Sequence, residues 1–376
     1  MLMLAAFKAV KRNRGAAGID KVSVKMFEAN LVDNLQALMR DLKDGSFRPL
    51  PLRRVFVPKN DSEFRPLGIP AVRDRVAQEV VRRLLSPIFE PLFHDSSFGF
   101  RPGRNCHLAI ERALALHRSG LLVVVDADIK GFFDNLPFEI IMKAVAAEVA
   151  DGNILRLIEK FLRAGVMEFG VFKPTNIGTP QGGVVSPLLA NIVLNHLDWA
   201  LHEQGLNFVR YADDFVIICK SKSLAEGALT FVQMTLAALG LQLSPEKTCI
   251  TTFGKGYPFL GFVLSSHSRR MRPKSVKKFK DKVRSLTRRK YNFEPKVIVD
   301  LNRVIRGTAL FFATPFSTCR WDFQKLDSWI RMRLRCMKFK RKRRADNRRL
   351  RVKSFYKLGL LSLEQFSFDG LPKHVR

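Results

Sequence analysis

The chain has 376 residues, 47% of them hydrophobic, and a formal net charge of +31. That length supports a sizeable core in two or three domains, and so strong a positive charge points to nucleic acid or an anionic membrane as partner. No apolar run approaches the roughly 20 residues that span a bilayer, so no membrane role is expected and nucleic acid is favoured. The five cysteines, Cys106, Cys219, Cys249, Cys319 and Cys336, form no CxxC pair and no Cys/His cluster. They signal neither a zinc site nor a disulfide framework and fit a reducing, cytoplasmic compartment. Residues 1–19 are basic and acid-free, like a transit peptide, but contain no Ser and no cleavage-like site. They read as an amphipathic first helix. Residues 4–40 are expected to be helical, with an apolar stripe at Leu31, Leu35 and Leu38. A Gly-bearing loop, Arg14–Asp20, breaks them.

Two short strands joined by a polar turn are expected over Arg53–Pro70. Lys59 and Arg65 bracket the turn, either as surface charges or as cations for a polyphosphate. A helix follows from Val72 to about Leu85, ended by Pro87. Phe98–Arg104 is turn-rich, with Arg101 and Arg104, and a helix spans 106–117. Leu121–Ile129 reads as a strand whose alternation puts Asp126 and Asp128 on one face. Two acids at the end of a buried strand suggest a metal. Asp134 or Asn135 is expected to cap the next helix.

Gly178–Pro187 is Gly-rich, allowing a substrate to lie against backbone N–H groups beside a helix at roughly 187–204. The stretch Phe208–Cys219 (FVRYADDFVIIC) has two apolar runs around Tyr211-Ala212-Asp213-Asp214 and reads as a β-hairpin with acids at the bend. Paired carboxylates are costly unless a cation neutralises them, and Mg²⁺ prefers carboxylate oxygen. An amphipathic helix near 223–239 follows, then loop and strand over 240–248 and a single strand over 257–264. From about residue 266 composition shifts to 33 Lys+Arg against 8 Asp+Glu. Periodic apolar positions (Val276, Phe279, Val283, Leu286; Leu326, Trp329, Ile330, Leu334) predict helices there. The run Lys338–Arg344 is the densest basic block, and helices this one-sided suggest a nucleic-acid surface.

In order, these motifs resemble a reverse transcriptase, and closely the group II intron-encoded branch, or a stand-alone bacterial enzyme like it. The matching blocks are RGAAGID (14–20), FVPK…RPLGIP (56–70), SFGFRPGR (97–104), DADIKGFFDNL (126–136), GTPQGGVVSPLLANI (178–192), YADD (211–214), LGLQLSPEKT (239–248) and FLGF (259–262). LDSWIRMRLR (326–335) is similar to the maturase X domain, the thumb of these enzymes. The resemblance implies an α+β right-hand polymerase. Its N-terminal extension would be residues 1–40, which also argues against a transit peptide. Fingers and palm, with an antiparallel palm sheet packed on helices, would be 41–265, a helical thumb 266–350 and a tail 351–376.

It implies RNA-directed DNA synthesis with two Mg²⁺ ions (Mn²⁺ as substitute) held by Asp128, Asp213, Asp214 and the backbone of Ile129. Asp126 is then a supporting residue. Lys59 and Arg65 would hold the triphosphate, Gln181 and Gly182 would underlie nucleotide and template, and Phe133 would exclude a 2′-OH. Leu260 and Gly261 would grip the primer. Arg101 and Arg104 would touch template phosphates, and Lys338, Lys340, Arg341, Lys342 and Arg343 would hold RNA. The expected partners are an RNA template, its RNA/DNA hybrid, dNTPs and an intron RNA, on a monomer or homodimer. Many relatives continue into a DNA-binding region and an endonuclease; with the sequence ending at Arg376 and no Cys or His cluster, DNA cleavage is not expected. The rival readings are a host-defence or repair reverse transcriptase and an RNA-binding splicing factor.

Overall fold

The computed structural model describes residues 2–58, 64–179 and 182–366. The chain divides into two compact units, Met1–Ile250 and Thr251–Arg376. The division precedes the change of composition near 266, because the second unit opens with short strands of mixed composition before its basic helices begin.

In the first unit the residues of 4–40 form three helices rather than two: Leu2–Arg12, Val24–Ala29 and Leu31–Lys43. Ser23 caps the second by accepting from Met26 N, which relieves a backbone N–H that the helix cannot satisfy itself. Asn30 separates it from the third. The stripe is confirmed at Leu35 and Leu38, both buried. Strands β1 (Leu52–Pro58) and β2 (Phe64–Ile69) form the expected hairpin, with Val55 opposite Leu67. The next helix, Val72–Phe89, runs through Pro87 instead of ending there. A proline there gives up one N–H bond and crowds the Arg83 carbonyl one turn back, a cost set against the burial of Leu85 and Phe89 on either side of it.

Strand β3 (Val123–Asp128) leads into a single helical turn, Phe132–Asn135, and then helix Phe138–Ala146. Asp134 and Asn135 therefore do not cap that helix. Pro137 stands at the cap position and makes no side-chain cap bond, while Asn135 Nδ2 donates to the Lys130 carbonyl at 2.9 Å and closes the turn behind β3. Short strands β4 (Val166–Glu168) and β5 (Val171–Lys173) follow, then helix Ser186–Glu203, β6 (Asn207–Tyr211), β7 (Asp214–Cys219), helix Lys222–Ala238 and β8 (Cys249–Thr252). Two four-stranded sheets result, ordered β2-β1-β4-β5 and β6-β7-β3-β8. In the second, Val123, Val125 and Ala127 from β3, and Ile129 just after it, join Phe215, Ile217 and Cys219 from β7 in the main core, with Leu189, Val193 and Leu197 of helix Ser186–Glu203. Strand alternation leaves Asp126, Asp128 and Asp214 on the opposite face.

The second unit begins with β9 (Tyr257–Phe259), β10 (Phe262–Leu264) and β11 (Arg269–Met271) in the order β11-β10-β9. Residues 257–264 are thus a tight hairpin and not one strand. Leu260 (φ +45°) and Gly261 (φ +89°) turn the chain between paired Phe259 and Phe262. Helices Pro273–Leu286, Pro295–Phe312 and Arg320–Phe339 bury Phe279, Val283, Leu301, Ile305, Leu326, Ile330 and Leu334. Asp327 anchors the end of the described chain, accepting from the backbone N–H of Leu363 (2.9 Å) and Glu364 (3.1 Å).

Asp74, in helix Val72–Phe89, is 1% exposed and accepts from Leu50 N at 2.9 Å. Burial pushes its carboxyl up to about 7 against that hydrogen bond and the nearby Arg73. Between the ordinary carboxylate value and pH 7 the folded chain therefore holds a proton that the unfolded chain has lost. Stability falls as pH rises through that window. Asp74→Asn should remove this slope: thermal unfolding should show the variant gaining on the native chain by roughly a few kcal/mol between pH 5 and pH 8. A constant difference across those pH values would contradict the burial account.

Candidate active site

The turn between β6 and β7 holds two residues, Ala212 and Asp213, with Tyr211 opposite Asp214. Ala212 has φ +59°, a left-handed conformation unfavourable for any residue with a Cβ. The surroundings impose it. Arg210 is wholly buried, and its guanidinium donates to Asp198 Oδ1 (2.7 Å) and Oδ2 (2.5 Å), Asn191 Oδ1 (2.9 Å), Ser97 Oγ (2.8 Å) and the Ala212 carbonyl (3.0 Å). All five of its N–H donors are used. Asn191 also donates to the Gly99 carbonyl at 2.8 Å. A Cβ on Gly99 would lie 2.4 Å from Ala212 N, so only glycine lets this loop pack on the turn.

Asp128 stands directly opposite Asp214 in the β3–β7 register. Cross-strand neighbours on one face have Cβ atoms about 4.5–5.5 Å apart, so two like charges are held side by side, with Asp213 at the adjoining turn. Burial first, and then the charge of Asp128, raise the Asp213 carboxyl above the ordinary range, while Arg65 and Lys247 offset part of this. Lys247 Nζ lies 2.6 Å from Asp128 Oδ2. The segment bearing it is stitched to the end of β3: Ser244 N donates to the Asp128 carbonyl (2.8 Å), and Lys130 N to the Gln242 carbonyl (2.8 Å). Among the described residues no three His, Cys, Asp or Glu side chains close around one point. The donor set still fits a hard divalent cation, which takes carboxylate and carbonyl oxygens: the ladder pairs Asp128 with Asp214, and Asp213 adjoins Asp214 in the turn.

The sequence motifs do not point to Arg210 with Asp198 or to Lys247 as parts of the site. Signals existed: a lone arginine in the apolar strand FVRY, and a lone aspartate in the apolar helix stretch NIVLNHLDWAL. Arg101 needs correction. It is 7% exposed, and its guanidinium is taken by Glu90 (2.9 Å) and the carbonyls of His94 (2.7 Å) and Ser97 (2.8 Å). It shapes the loop that supports the turn and is not available to a phosphate. Arg104 is paired with Asp95 at 2.7 Å and keeps a side chain 23% exposed.

Phe132 is buried, while Phe133 is half-buried and lines a cavity of about 490 Å³ together with Arg54, Phe56, Lys173 and Gly178. Gly182 (φ +115°) packs on the backbone of Gly68. Ile129 sends its side chain into the core, so only its backbone can serve the site. Lys59 and Gln181 lie outside the described residues. In the second unit, the Gly261 carbonyl is held by Arg272 N (3.0 Å) and Ser275 Oγ (3.2 Å). Lys338, Lys340, Lys342 and Arg343 are exposed. Arg341 instead pairs with buried Asp346 (3.1 Å), which holds that carboxyl below its ordinary value. Among the described residues no helix is long and apolar enough to cross a membrane.

Residues 57–264 match the family described as reverse transcriptase (RNA-dependent DNA polymerase), and residues 276–356 match the group II intron, maturase-specific domain. The chain belongs to the reverse transcriptase family, in the α+β right-hand class, and it carries the maturase-specific domain of group II intron proteins. Among curated relatives, Protein YkfC of Escherichia coli K12 is 36% identical over 283 residues, 65% of this chain and 74% of that protein. The group II intron-encoded protein LtrA of Lactococcus lactis is 41% identical over 179 residues, 47% of this chain and 30% of LtrA. A 91 kDa protein in the cob intron of Schizosaccharomyces pombe is 35% identical over 197 residues, 52% of this chain and 24% of that protein. The chain thus spans less than a third of the last two. The family is one of RNA-templated polymerases that generally use divalent metal ions.

Removing one side of a buried ion pair leaves the other charge uncompensated, at about 3–5 kcal/mol. Arg210→Met and Asp198→Leu should each destabilise the first unit by that order in chemical denaturation. The double variant should recover part of the loss, since it buries no lone charge. A double loss equal to the sum of the singles would mean that the pair does not act as a unit.

Proposed function

We propose that this chain copies RNA into DNA from deoxynucleoside triphosphates, with Asp128, Asp213, Asp214 and the Ile129 carbonyl holding two Mg²⁺ ions, for which Mn²⁺ can substitute. The observation that carries the reading is the cross-strand pairing of Asp128 with Asp214 beside the Asp213 turn, in a chain of this family. When bound, such ions activate a primer 3′-OH and stabilise the leaving pyrophosphate. The protein supplies placement. The Arg210 hub fixes the turn, and the β3–β7 register fixes the spacing of the acids. Lys247 balances Asp128 until a metal replaces it.

Arg65, with Lys59, neutralises the triphosphate. Phe133 is the ring that leaves no room for a 2′-OH, a discrimination by steric exclusion. Its exposure beside buried Phe132 supports that division of labour. Gly182, with Gln181, underlies the nucleotide and template, and the Leu260-Gly261 turn grips the primer. The basic helices of the second unit hold RNA, with an intron RNA as the partner that the maturase-specific match favours. In this reading the first unit supplies the fingers and palm and the second the thumb.

Asp213→Asn keeps the shape of the side chain and removes its charge. In primer extension on an RNA template, the variant should lose about 10³-fold or more in rate while retaining RNA affinity. Extension within tenfold of the native rate would sink the ligand assignment. For the basic block, Lys338, Lys342 and Arg343 should be neutralised together and Arg341 left in place, because its loss would strand Asp346. RNA affinity should fall alike for all sequences, and the slope of log K against log salt should flatten by about one unit per lost phosphate contact. An unchanged slope would take these residues off the phosphate path.

A further inference from the structure

We propose that His94 and His202 are positioning residues for the polymerase site: a pair of neutral imidazoles that clasps the 94–99 loop to helix Ser186–Glu203 and lets go when either ring takes a proton. This rests on the polymerase reading above. The loop matters because it supports the acidic turn from behind. Ser97 pairs with Arg210 in an isolated parallel bridge. Arg210 N donates to the Ser96 carbonyl (2.8 Å) and Phe98 N to the Arg210 carbonyl (2.9 Å). Ser97 Oγ accepts from the Arg210 guanidinium, and the Gly99 carbonyl from Asn191. The Asp213 turn is therefore only as well placed as this loop.

The hydrogen bonds fix the protonation state of the pair. A backbone N–H can only donate, and Ser96 N lies 3.0 Å from His94 Nδ1. That nitrogen must offer a lone pair, so the proton of the neutral ring is on Nε2. His94 Nε2 lies 3.3 Å from His202 Nδ1, which must then accept. The His94 ring thus links the backbone of its own loop to the last turn of the helix, and each of its nitrogens has one role open to it. The backbone around it is held as well: His94 N donates to Asn195 Oδ1 (3.2 Å), and Asn195 Nδ2 and Trp199 Nε1 both donate to the Leu92 carbonyl at 3.0 Å. The ring packs edge-on against Trp199 (centroids 5.1 Å apart) and tilted against Phe208 (4.9 Å). A phenylalanine would serve that packing; the two bonds need a histidine.

A proton breaks the clasp from either end. On His202 it turns Nδ1 into a donor that faces the His94 Nε2–H. His94 can answer only by moving its own proton to Nδ1, where it meets the Ser96 N–H. On His94 a second proton occupies Nδ1 and displaces Ser96 N directly. Imidazole is the side chain whose charge changes between roughly pH 5 and 8. The groups facing His94 come from every element around it: Asp198 and His202 on helix Ser186–Glu203, Asp95 on its own loop, Arg112 on helix Cys106–Arg118, and uncharged Phe208 on β6. Asp198 is committed to Arg210 and Asp95 to Arg104. Burial acts ahead of all these charges and holds the His94 ring below its ordinary value. His202 is exposed and faces His94 and Trp199. The clasp is therefore closed at neutral pH, and its contribution is lost as pH falls.

The test is single-turnover primer extension by the full chain on an RNA template from pH 8 to pH 6, with each rate at pH 6 divided by the same chain's rate at pH 8. The primer 3′-OH and Asp213 titrate in every variant and cancel when chains are compared. His202→Asn keeps an acceptor near the place of Nδ1 and takes no proton; its ratio should exceed the native one by about fivefold, the scale of one hydrogen bond. His202→Lys, a permanent cation and donor, should have the same flattened ratio but a rate at pH 8 about fivefold below that of His202→Asn. Hydrogen exchange of the peptide spanning residues 93–100, corrected for the intrinsic effect of pH, should quicken on acidification in the native chain and not in His202→Asn. Equal ratios for the native chain and His202→Asn, or equal rates for His202→Lys and His202→Asn at pH 8, overturn the pair as positioning residues. So does exchange over 93–100 that acidification leaves unchanged in the native chain. A native chain that extends no primer at any pH would instead overturn the polymerase reading, and the exchange measurement still decides whether the clasp opens.

Discussion

The buried guanidinium of Arg210 is the point on which the acidic site depends. It joins the 97–99 loop, helix Ser186–Glu203 and the β6–β7 turn through five hydrogen bonds, and it is wholly buried. Burying such an ion pair is expensive, and an apolar replacement of equal volume would serve stability as well or better. What an apolar replacement could not do is bond to the Ala212 carbonyl and hold a left-handed alanine beside two carboxylates. The cost is therefore best understood as fixing one geometry of the turn. Gly99 belongs to the same device, since a side chain there would push the turn away.

A second constraint is electrostatic. The β-ladder places Asp128 against Asp214 whether or not a cation is bound, so the backbone enforces a repulsion that side chains alone would avoid. Lys247 relieves it from an exposed position, at 2.6 Å, on a loop tied to the end of β3 by backbone bonds. An ammonium on a flexible stem is a counter-charge that can leave. A buried arginine in its place would neutralise Asp128 permanently and keep its oxygens from a metal. The two basic residues thus do opposite work: Arg210 is immobile and far from solvent, and Lys247 is half-exposed and replaceable.

Much of this was legible in the sequence. The hairpin around Asp213, the strand ending at Asp128 and the basic helices all followed from period and composition, because each is a local pattern. The Arg210 hub was not, because its side-chain partners lie 12 to 113 residues away and a single arginine in a strand has no period to mark it. Arg101 was misjudged for the same reason: an arginine in a Gly-rich loop reads as a free cation until Glu90 and two carbonyls are seen around it. Pro87 and Asn135 erred the other way, as local rules for helix ends that tertiary packing and Pro137 overrode.

Strand alternation also gives one thin hairpin two different faces. In β2, Arg65 and Leu67 point to one side and Phe64, Pro66 and Gly68 to the other. The charge of Arg65 reaches Asp213, while on the opposite side Pro66 and Gly68 line the cavity that also holds Phe133. A slip of one residue would exchange the two faces entirely. The register must therefore be held, and contacts outside the turn hold it. Gly182 packs on the Gly68 backbone so closely that a Cβ would lie 2.3 Å from its carbonyl oxygen, and a Cβ on Gly68 would meet Leu52 at 2.9 Å. A larger residue at Gly182 would push on the backbone of β2 itself and move Arg65 with it, whereas one at Gly68 would meet the Leu52 side chain. The glycine of the Gly-rich loop thus does more than admit a substrate: it locks the strand that keeps a cation on one side and rings on the other.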